Sequence, residues 1–84
     1  MNKYEILEET KTVNDHTLHR IRALRDFGNV KKGDIGGWIE KEKNLSHEGY
    51  CWIYGDAMVY DDAKVKGNAI VCENAQVFGE ALGI

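Results

Sequence analysis

The sequence predicts an all-β protein in which a β-hairpin precedes a stack of very short strands. A six-residue repeat fills the C-terminal half, and two segments with strand-like alternation fill the beginning of the chain. With 43% hydrophobic and 30% charged residues, the composition is typical of a folded domain. At 84 residues we expect a single domain, 1–84, that buries roughly 60–65% of its unfolded surface and is too small for an enclosed active site.

The first predicted element is the hairpin, which we place within residues 1–28. Its strands are KYEILEETKTV (3–13) and TLHRIRALRDF (17–27), with a polar turn at 14–16 between them. The apolar residues from Leu18 to Leu24 are also compatible with a short helix. The alternation of arginine with apolar residues in the same segment favours a half-buried strand.

Residues 29–42 are predicted to form a turn-rich connector and an irregular first coil. Glycines at 33, 36 and 37 allow tight turns before Trp38 begins the coil. Their spacing fits neither GxxxxGK[ST] nor GxGxxG, so we expect no nucleotide-binding loop.

The repeat lies within residues 43–84 and is regular from residue 49, reading GYCWIY, GDAMVY, DDAKVK, GNAIVC, ENAQVF and GEALGI. Five of the six hexads have alanine in the third position, and five have valine or isoleucine in the fifth. Because strand side chains alternate, both positions point to the same side, which we take as the core. The first two positions are mostly Gly, Asp, Asn or Glu, and these residues suit corners.

Three hexads make one coil of eighteen residues around a triangle, with coils stacked at about 4.8 Å. Adding eighteen places Ala57 below Ala75 and Val59 below Val77, and every inward pair of the regular hexads is apolar. Upstream, His47 takes an inward position and the pattern fades. The sequence therefore predicts an irregular first coil and roughly two regular coils after it.

These hexads resemble the hexapeptide-repeat proteins, and that resemblance implies a short left-handed parallel β-helix. The combination LHRIRALRDFGNVKKGDIGGWIE and NLSHEGYCWIYGDA also resembles small proteins of bacteria and their phages that join such a beginning to hexapeptide repeats. It implies a phage or prophage setting, hence the cytoplasm of a bacterial host, and assigns no reaction.

Charge and cysteine content argue against several functions. A net charge of −3 disfavours direct nucleic-acid binding, which needs clustered lysine and arginine. Two cysteines and three histidines lack the spacing of disulfide scaffolds or zinc sites, so we expect no metal and no cofactor. The chain opens polar and has no long apolar stretch, so we expect neither export nor a membrane span.

We predict that the hairpin covers the coil face of Trp52 and leaves the face of Tyr60 and Phe78 free for a host protein. Carboxylates at the corners could complete that interface by imitating a phosphate backbone. They are Asp56, Asp61, Asp62, Glu73 and Glu80.

The C-terminal end of the coil is predicted to form a homodimer. Its last strands would leave unpaired backbone groups and apolar side chains in water, and natural sheets seldom leave such edges bare. The residues expected to take part are Val77, Ala81, Leu82 and Ile84.

The sequence contains no recognisable catalytic constellation. Many hexapeptide-repeat proteins are acyltransferases that use acetyl-CoA and a catalytic histidine, and only His47 lies near the coils here. Its inward position favours a structural role, and its chemical role stays open. A zinc site of the carbonic-anhydrase type would need three convergent histidines, and His16 and His19 belong to the hairpin.

Our main hypothesis is a non-enzymatic binding protein, a phage-encoded inhibitor of a host defence or nucleic-acid-handling protein, similar to an anti-CRISPR. Two alternatives stay open. The first is a degenerate or truncated hexapeptide-repeat acyltransferase that uses acetyl-CoA. The second is a structural self-assembly module, which would associate beyond a dimer and bind no other protein.

Overall fold

The computed structural model describes residues 2–79, and every strand and turn below lies within them. The regular structure is β apart from one 3-10 turn at Glu42–Asn44. The all-β prediction is therefore confirmed for this part of the chain. In chain order the strands are β1 Tyr4–Val13, β2 His16–Ala23, β3 Ile35–Ile39, β4 Trp52–Ile53, β5 Met58–Val59, β6 Ile70–Val71 and β7 Gln76–Val77.

The predicted hairpin is present, with β1 antiparallel to β2. Its turn consists of Asn14 and Asp15, whose φ angles of 49° and 69° are both positive. Two-residue turns of this kind match the twist of the strands that they connect, and Asn and Asp tolerate the left-handed region. Strand β2 ends at Ala23, four residues before the predicted end, and a loop follows.

Strand β3 corrects the predicted connector, because Ile35, Gly36 and Gly37 belong to a strand and not to a turn. One edge of β3 pairs antiparallel with β2, and the other pairs parallel with β5. The hairpin therefore joins the repeat through one continuous sheet, in the order β1-β2-β3-β5-β7.

The two glycines of β3 allow this close approach. A Cβ atom on Gly36 would lie 2.7 Å from the Trp52 ring, and one on Gly37 would overlap the Ala57 carbonyl oxygen and the Ile53 side chain. Both positions therefore need glycine because of packing, whereas sequence reasoning assigned them to turns.

The repeat pairs in parallel at the predicted register. Trp52 lies beside Ile70 and Met58 beside Gln76, each eighteen residues further along the chain. The first coil is irregular, since Trp38 pairs with Met58 at an offset of twenty residues. The corner residues that follow each strand allow the chain to turn towards the next face.

The core fills the inside of these coils. Ala57, Val59 and Val65 are fully buried, as their repeat positions predicted. Trp52 is also buried, against Tyr4 of β1 and Phe27 of the loop, as expected for the face that the hairpin covers.

Tyr60 corrects the prediction of an exposed partner-binding face, because only 2% of its surface is exposed. It packs in a second apolar cluster with Leu18 of the hairpin and Trp38 of β3. The hairpin covers Tyr60 through Leu18, His16 and Asn14, whereas Gln76 of the same face is exposed. Phe78 is 57% exposed and stacks on Tyr60.

Substituting Gly37→Ala should destabilise the fold by about 3 kcal/mol, because the new methyl group meets backbone that cannot rotate away. The control is Gly33→Ala, whose methyl group meets no atom within 4 Å and whose cost of about 1 kcal/mol comes only from its positive φ. Urea unfolding measures both free energies. Equal losses in the two variants would contradict the close approach at Gly37.

Candidate functional site

A histidine–carboxylate pair joins the hairpin turn to the first coil. His16 is the first residue of β2, and its Nδ1 lies 2.8 Å from Oε2 of Glu40, which directly follows β3. The other carboxylate oxygen of Glu40 accepts the backbone N–H of Asp61 at 2.8 Å. Three separate segments therefore fix the orientation of the imidazole ring.

The hydrogen bonds of Glu40 determine which nitrogen of His16 acts as the donor. The hydrogen bond from His16 is the largest factor that lowers the pKa of Glu40, and the Asp61 N–H and the charge of Lys41 act in the same direction. An ionised carboxylate only accepts hydrogen bonds, so His16 must donate from Nδ1. In neutral His16 the lone pair is then on Nε2, and within residues 2–79 no protein group bonds to that atom. Nε2 is therefore available as a base.

Aromatic rings border the pair. The ring of Tyr60 lies 4.9 Å from that of His16, centroid to centroid, and Phe78 stacks on Tyr60 at 5.1 Å. The Tyr60 hydroxyl accepts a hydrogen bond from Asn14 Nδ2 at 3.1 Å and lies 3.5 Å from Gln76 Oε1. The hairpin turn and the repeat thus hold Tyr60 from both sides.

A groove of about 620 Å³ has Asp61, whose N–H donates to Glu40, among its lining residues. Its walls belong to two successive coils and carry three lysines and three carboxylates. The lining residues are Lys41, Glu42, Lys43, Asn44, Asp61, Asp62, Ala63 and Lys64.

Asn44 holds the two walls of this groove together. It is 1% exposed, and its amide group donates to the carbonyls of Asp61 and Ala63 at 3.2 and 2.8 Å. Its oxygen accepts the N–H groups of Glu40 and Lys41 at 3.0 and 2.8 Å. All four hydrogen bonds of a buried amide are therefore made, and the groove has rigid walls.

His47 is bonded at both nitrogens. Nδ1 accepts the backbone N–H of Lys3 at 3.1 Å, so Nε2 carries the proton and donates to Glu42 Oε1 at 2.9 Å. The ring also stacks on Tyr4 at 4.1 Å. His47 therefore has no free lone pair for proton transfer, and in this structure it holds β1 against the first coil.

Lys3 is a buried polar residue that sequence reasoning missed. Its ammonium group donates to the Cys51 carbonyl at 2.7 Å, lies 3.4 Å from the Cys51 sulfur and sits over the Phe27 ring. Burial is the main cause that lowers the pKa of Lys3, and the interaction with Cys51 partly opposes it. A single lysine in an alternating strand gives no signal of burial, because its partner is 48 residues away.

The structure gives the predicted acidic corners different surroundings. Asp56 pairs with Arg20 at 3.2 Å, and Asp62 lies 3.7 Å from Lys41. Asp61 and Glu73 are corner residues with φ angles of 63° and 61°. Two of the proposed carboxylates therefore already have basic partners within the chain, and the role of this set in binding stays a prediction.

The remaining predicted sites lie at the C-terminal end. Val77 is partly buried and packs against the main core. Glu80, Ala81, Leu82 and Ile84 lie outside the described residues.

Two further properties concern metals and membranes. Among residues 2–79, no three His, Cys, Asp or Glu side chains are grouped closely enough to hold a metal ion. The same part of the chain has no helix with the length and apolarity needed to cross a membrane.

No protein-family model matches the chain. It is similar to a protein of Escherichia coli (strain K12) named "Uncharacterized acetyltransferase YdcK", with 35% identity over 89 aligned residues. The match covers 95% of this chain and 27% of that protein, so the chain spans about a quarter of its relative's length.

The relative is named as an enzyme, and the similarity gives no support to the non-enzymatic inhibitor of our main hypothesis. The matched protein is bacterial, and nothing in the comparisons supports a phage origin or an anti-CRISPR role. Of the hypotheses that the sequence left open, the acyltransferase is better supported by this comparison than the inhibitor.

The buried Lys3 should make stability depend on alkaline pH. Its pKa is lowered in the folded chain, so between that value and 10.5 the unfolded chain binds more protons and the free energy of unfolding rises with pH. Lys3→Met should remove this rise, whereas Lys43→Met, at an exposed position, should keep it. Urea unfolding between pH 7 and 10 tests this, and parallel curves for wild type and Lys3→Met would contradict it.

Proposed function

We propose that this chain is a segment of an acyltransferase, in which a short left-handed parallel β-helix supports an acid–base residue supplied by the hairpin. The observation that carries the proposal is the pair of His16 and Glu40, in which Nε2 of His16 has no hydrogen-bond partner among residues 2–79. Asp61, whose N–H donates to Glu40, lines a groove. The similarity to a protein named an acetyltransferase supports the same reaction class.

The β-helix interpretation rests on the pairing of the hexads. Parallel pairs occur in three places, β3–β5–β7, β4–β6 and Leu45 with Val65, and the chain visits them in turn. Three faces with a repeat near eighteen residues are what a triangular coil requires. The left hand is part of the proposal, and the resemblance of the hexads to hexapeptide-repeat proteins supports it.

In the proposed reaction His16 is the general base. Nε2 takes a proton from an amine or hydroxyl group of the acceptor while that group attacks the thioester carbonyl of acetyl-CoA. The new C–N or C–O bond forms, the C–S bond breaks, and the leaving thiolate takes the proton from His16. Glu40 stabilises the imidazolium ion and keeps the ring oriented.

The groove that Asp61 lines is the proposed place for the acyl donor. Lys41, Lys43 and Lys64 line it, and ammonium groups pair with phosphate oxygens such as those of acetyl-CoA. Asp61 connects this groove to the carboxylate of Glu40 through its backbone N–H. The donor and the base would therefore lie on neighbouring parts of the same surface.

His16 also replaces His47 as the candidate base of the acyltransferase hypothesis. Both residues lie beside a carboxylate, but the second nitrogen of His47 is bonded to the backbone of Lys3. The inhibitor hypothesis is less favoured, because the similarity to a protein named an acetyltransferase does not support it and one of its contact residues, Tyr60, is buried.

The test is acetyl transfer from acetyl-CoA to small primary amines and amino sugars, measured by release of the free thiol. His16→Asn keeps a donor for Glu40 but removes the base, so we expect kcat to fall by about 10²–10⁴-fold. The matched control is His19→Asn, on the same strand and outside the pair, which should keep the wild-type rate.

Two results would contradict different parts of the proposal. Failure of the wild-type chain to bind acetyl-CoA in calorimetry would remove the acyltransferase function. Acetyl transfer at equal rates by wild type and His16→Asn would keep the function and remove His16 as its base.

A further inference from the structure

A lysine and a cysteine, both buried, are in contact where the start of the hairpin meets the repeat. The Nζ atom of Lys3 lies 3.4 Å from the Sγ atom of Cys51 and donates to the Cys51 carbonyl oxygen at 2.7 Å. Both residues are 0% exposed. The contact joins positions that are 48 residues apart in the chain, and it takes no part in the His16–Glu40 pair or the groove.

Lys3 has unusual partners for a buried ammonium group. Among the residues that the structure describes, no carboxylate lies within ion-pair distance of it. Its neighbours are the carbonyl oxygens of Gly49 and Cys51, the Cys51 sulfur and the ring of Phe27. A buried charge is costly unless a second charge neutralises it. Of these neighbours, only the thiol can take up or release a proton near neutral pH.

The pair contains the two groups that are needed to form a sulfur–nitrogen bond. Oxidants attack the thiolate form of cysteine, and the neutral amine form of lysine attacks an oxidised sulfur. Moving one proton across the 3.4 Å contact converts ammonium and thiolate into amine and thiol. Burial is the main factor that lowers the pKa of Lys3, and this favours the neutral amine.

The pair lies directly beneath an exposed turn. Glu48, Gly49 and Tyr50 are exposed, and the Gly49 carbonyl oxygen lies 3.5 Å from the Nζ atom of Lys3. Asn2, the neighbour of Lys3 in the chain, is exposed as well. Hydrogen peroxide is small and uncharged, so local opening of this one turn is enough to bring it to the Cys51 sulfur.

We propose that Lys3 and Cys51 are a redox-controlled modification site, at which hydrogen peroxide induces a covalent sulfenamide bridge between Nζ and Sγ. The bridge fastens the start of the hairpin to the repeat. It does not involve His16 or the groove, and it holds whether or not the chain transfers acyl groups.

The bridge forms in two steps. In the first, the Cys51 thiolate attacks the peroxide, an S–O bond forms, the O–O bond breaks, and the leaving hydroxide takes a proton from the Lys3 ammonium group. In the second, the Lys3 amine attacks the sulfur of the sulfenic acid, the S–N bond forms, the S–O bond breaks, and hydroxide leaves as water with a proton from the nitrogen. The sulfur is oxidised and the peroxide is reduced to water. An added thiol reverses the reaction by reducing the S–N bond and is itself oxidised to a disulfide.

The test treats the folded chain with hydrogen peroxide in a Cys72→Ser background, in which Cys51 is the remaining thiol. The chain is then denatured, labelled with iodoacetamide and weighed by mass spectrometry. We expect a product lighter by two hydrogen atoms that takes up no label. Peptide mapping should find Lys3 joined to Cys51, and dithiothreitol should restore the labelling.

Two lysine variants in the same background show whether Lys3 supplies the nitrogen. Lys3→Met should lower the yield of the bridged product by about tenfold or more, because the amine is missing. Lys43→Met is the matched control at an exposed lysine and should give the yield of the parent chain. Since Lys3→Met also changes a buried position, a further sample exposes the parent chain to peroxide in urea, where the two residues are separated and no bridge should form.

Three results would overturn the proposal. The first is full labelling of Cys51 after peroxide treatment of the folded parent chain. The second is oxidation of Cys51 to sulfinic acid without loss of the two hydrogen atoms. The third is an equal yield of bridged product from the folded chain and from the chain in urea, or from the parent and Lys3→Met.

Discussion

The two-sided pairing of β3 is the constraint on which the other contacts depend. This strand gives one edge to the hairpin and the other to the repeat, and it lies so close to the coil that residues 36 and 37 can only be glycine. Because β3 fixes the hairpin beside the first coil, Leu18 reaches Tyr60, and the turn at Asn14 reaches the Tyr60 hydroxyl. The buried aromatic cluster and the His16–Glu40 pair both follow from this one junction.

The hexads could be predicted from the sequence because each repeats the same physical requirement. A small and a branched residue must enter the core together, and a corner must follow, so the register of eighteen residues is visible without a structure. Strand β3 could not be predicted in this way. Its glycines allow close packing, but a glycine pair has the same appearance in a sequence whether it serves a turn or a contact. The exposure of Tyr60 was mispredicted for the same reason, because the position of the hairpin depends on β3.

The candidate site also could not be predicted from the sequence. His16 and Glu40 are 24 residues apart, and no spacing rule connects a hairpin turn with the end of a later strand. His47 is the histidine nearest the repeat in the sequence, but Glu42 and the backbone N–H of Lys3, just before β1, occupy both of its nitrogens. The groove could not be predicted either, because it lies at the irregular first coil. There the side chain of Asn44, and not a regular hexad, connects the two coils through hydrogen bonds.

The contrast between the two histidines shows which feature separates a structural pair from a reactive one. Each ring has a carboxylate within 2.9 Å, so the presence of a carboxylate does not distinguish them. The difference is the second nitrogen. In His47 a backbone N–H uses the lone pair, and protonating that nitrogen would break a contact that holds β1 to the coil. In His16 the carboxylate takes the proton-bearing nitrogen and leaves the other without a partner among the described residues, so His16 can gain a proton and keep its bond to Glu40. Only such a histidine can accept and return a proton while the structure around it stays in place.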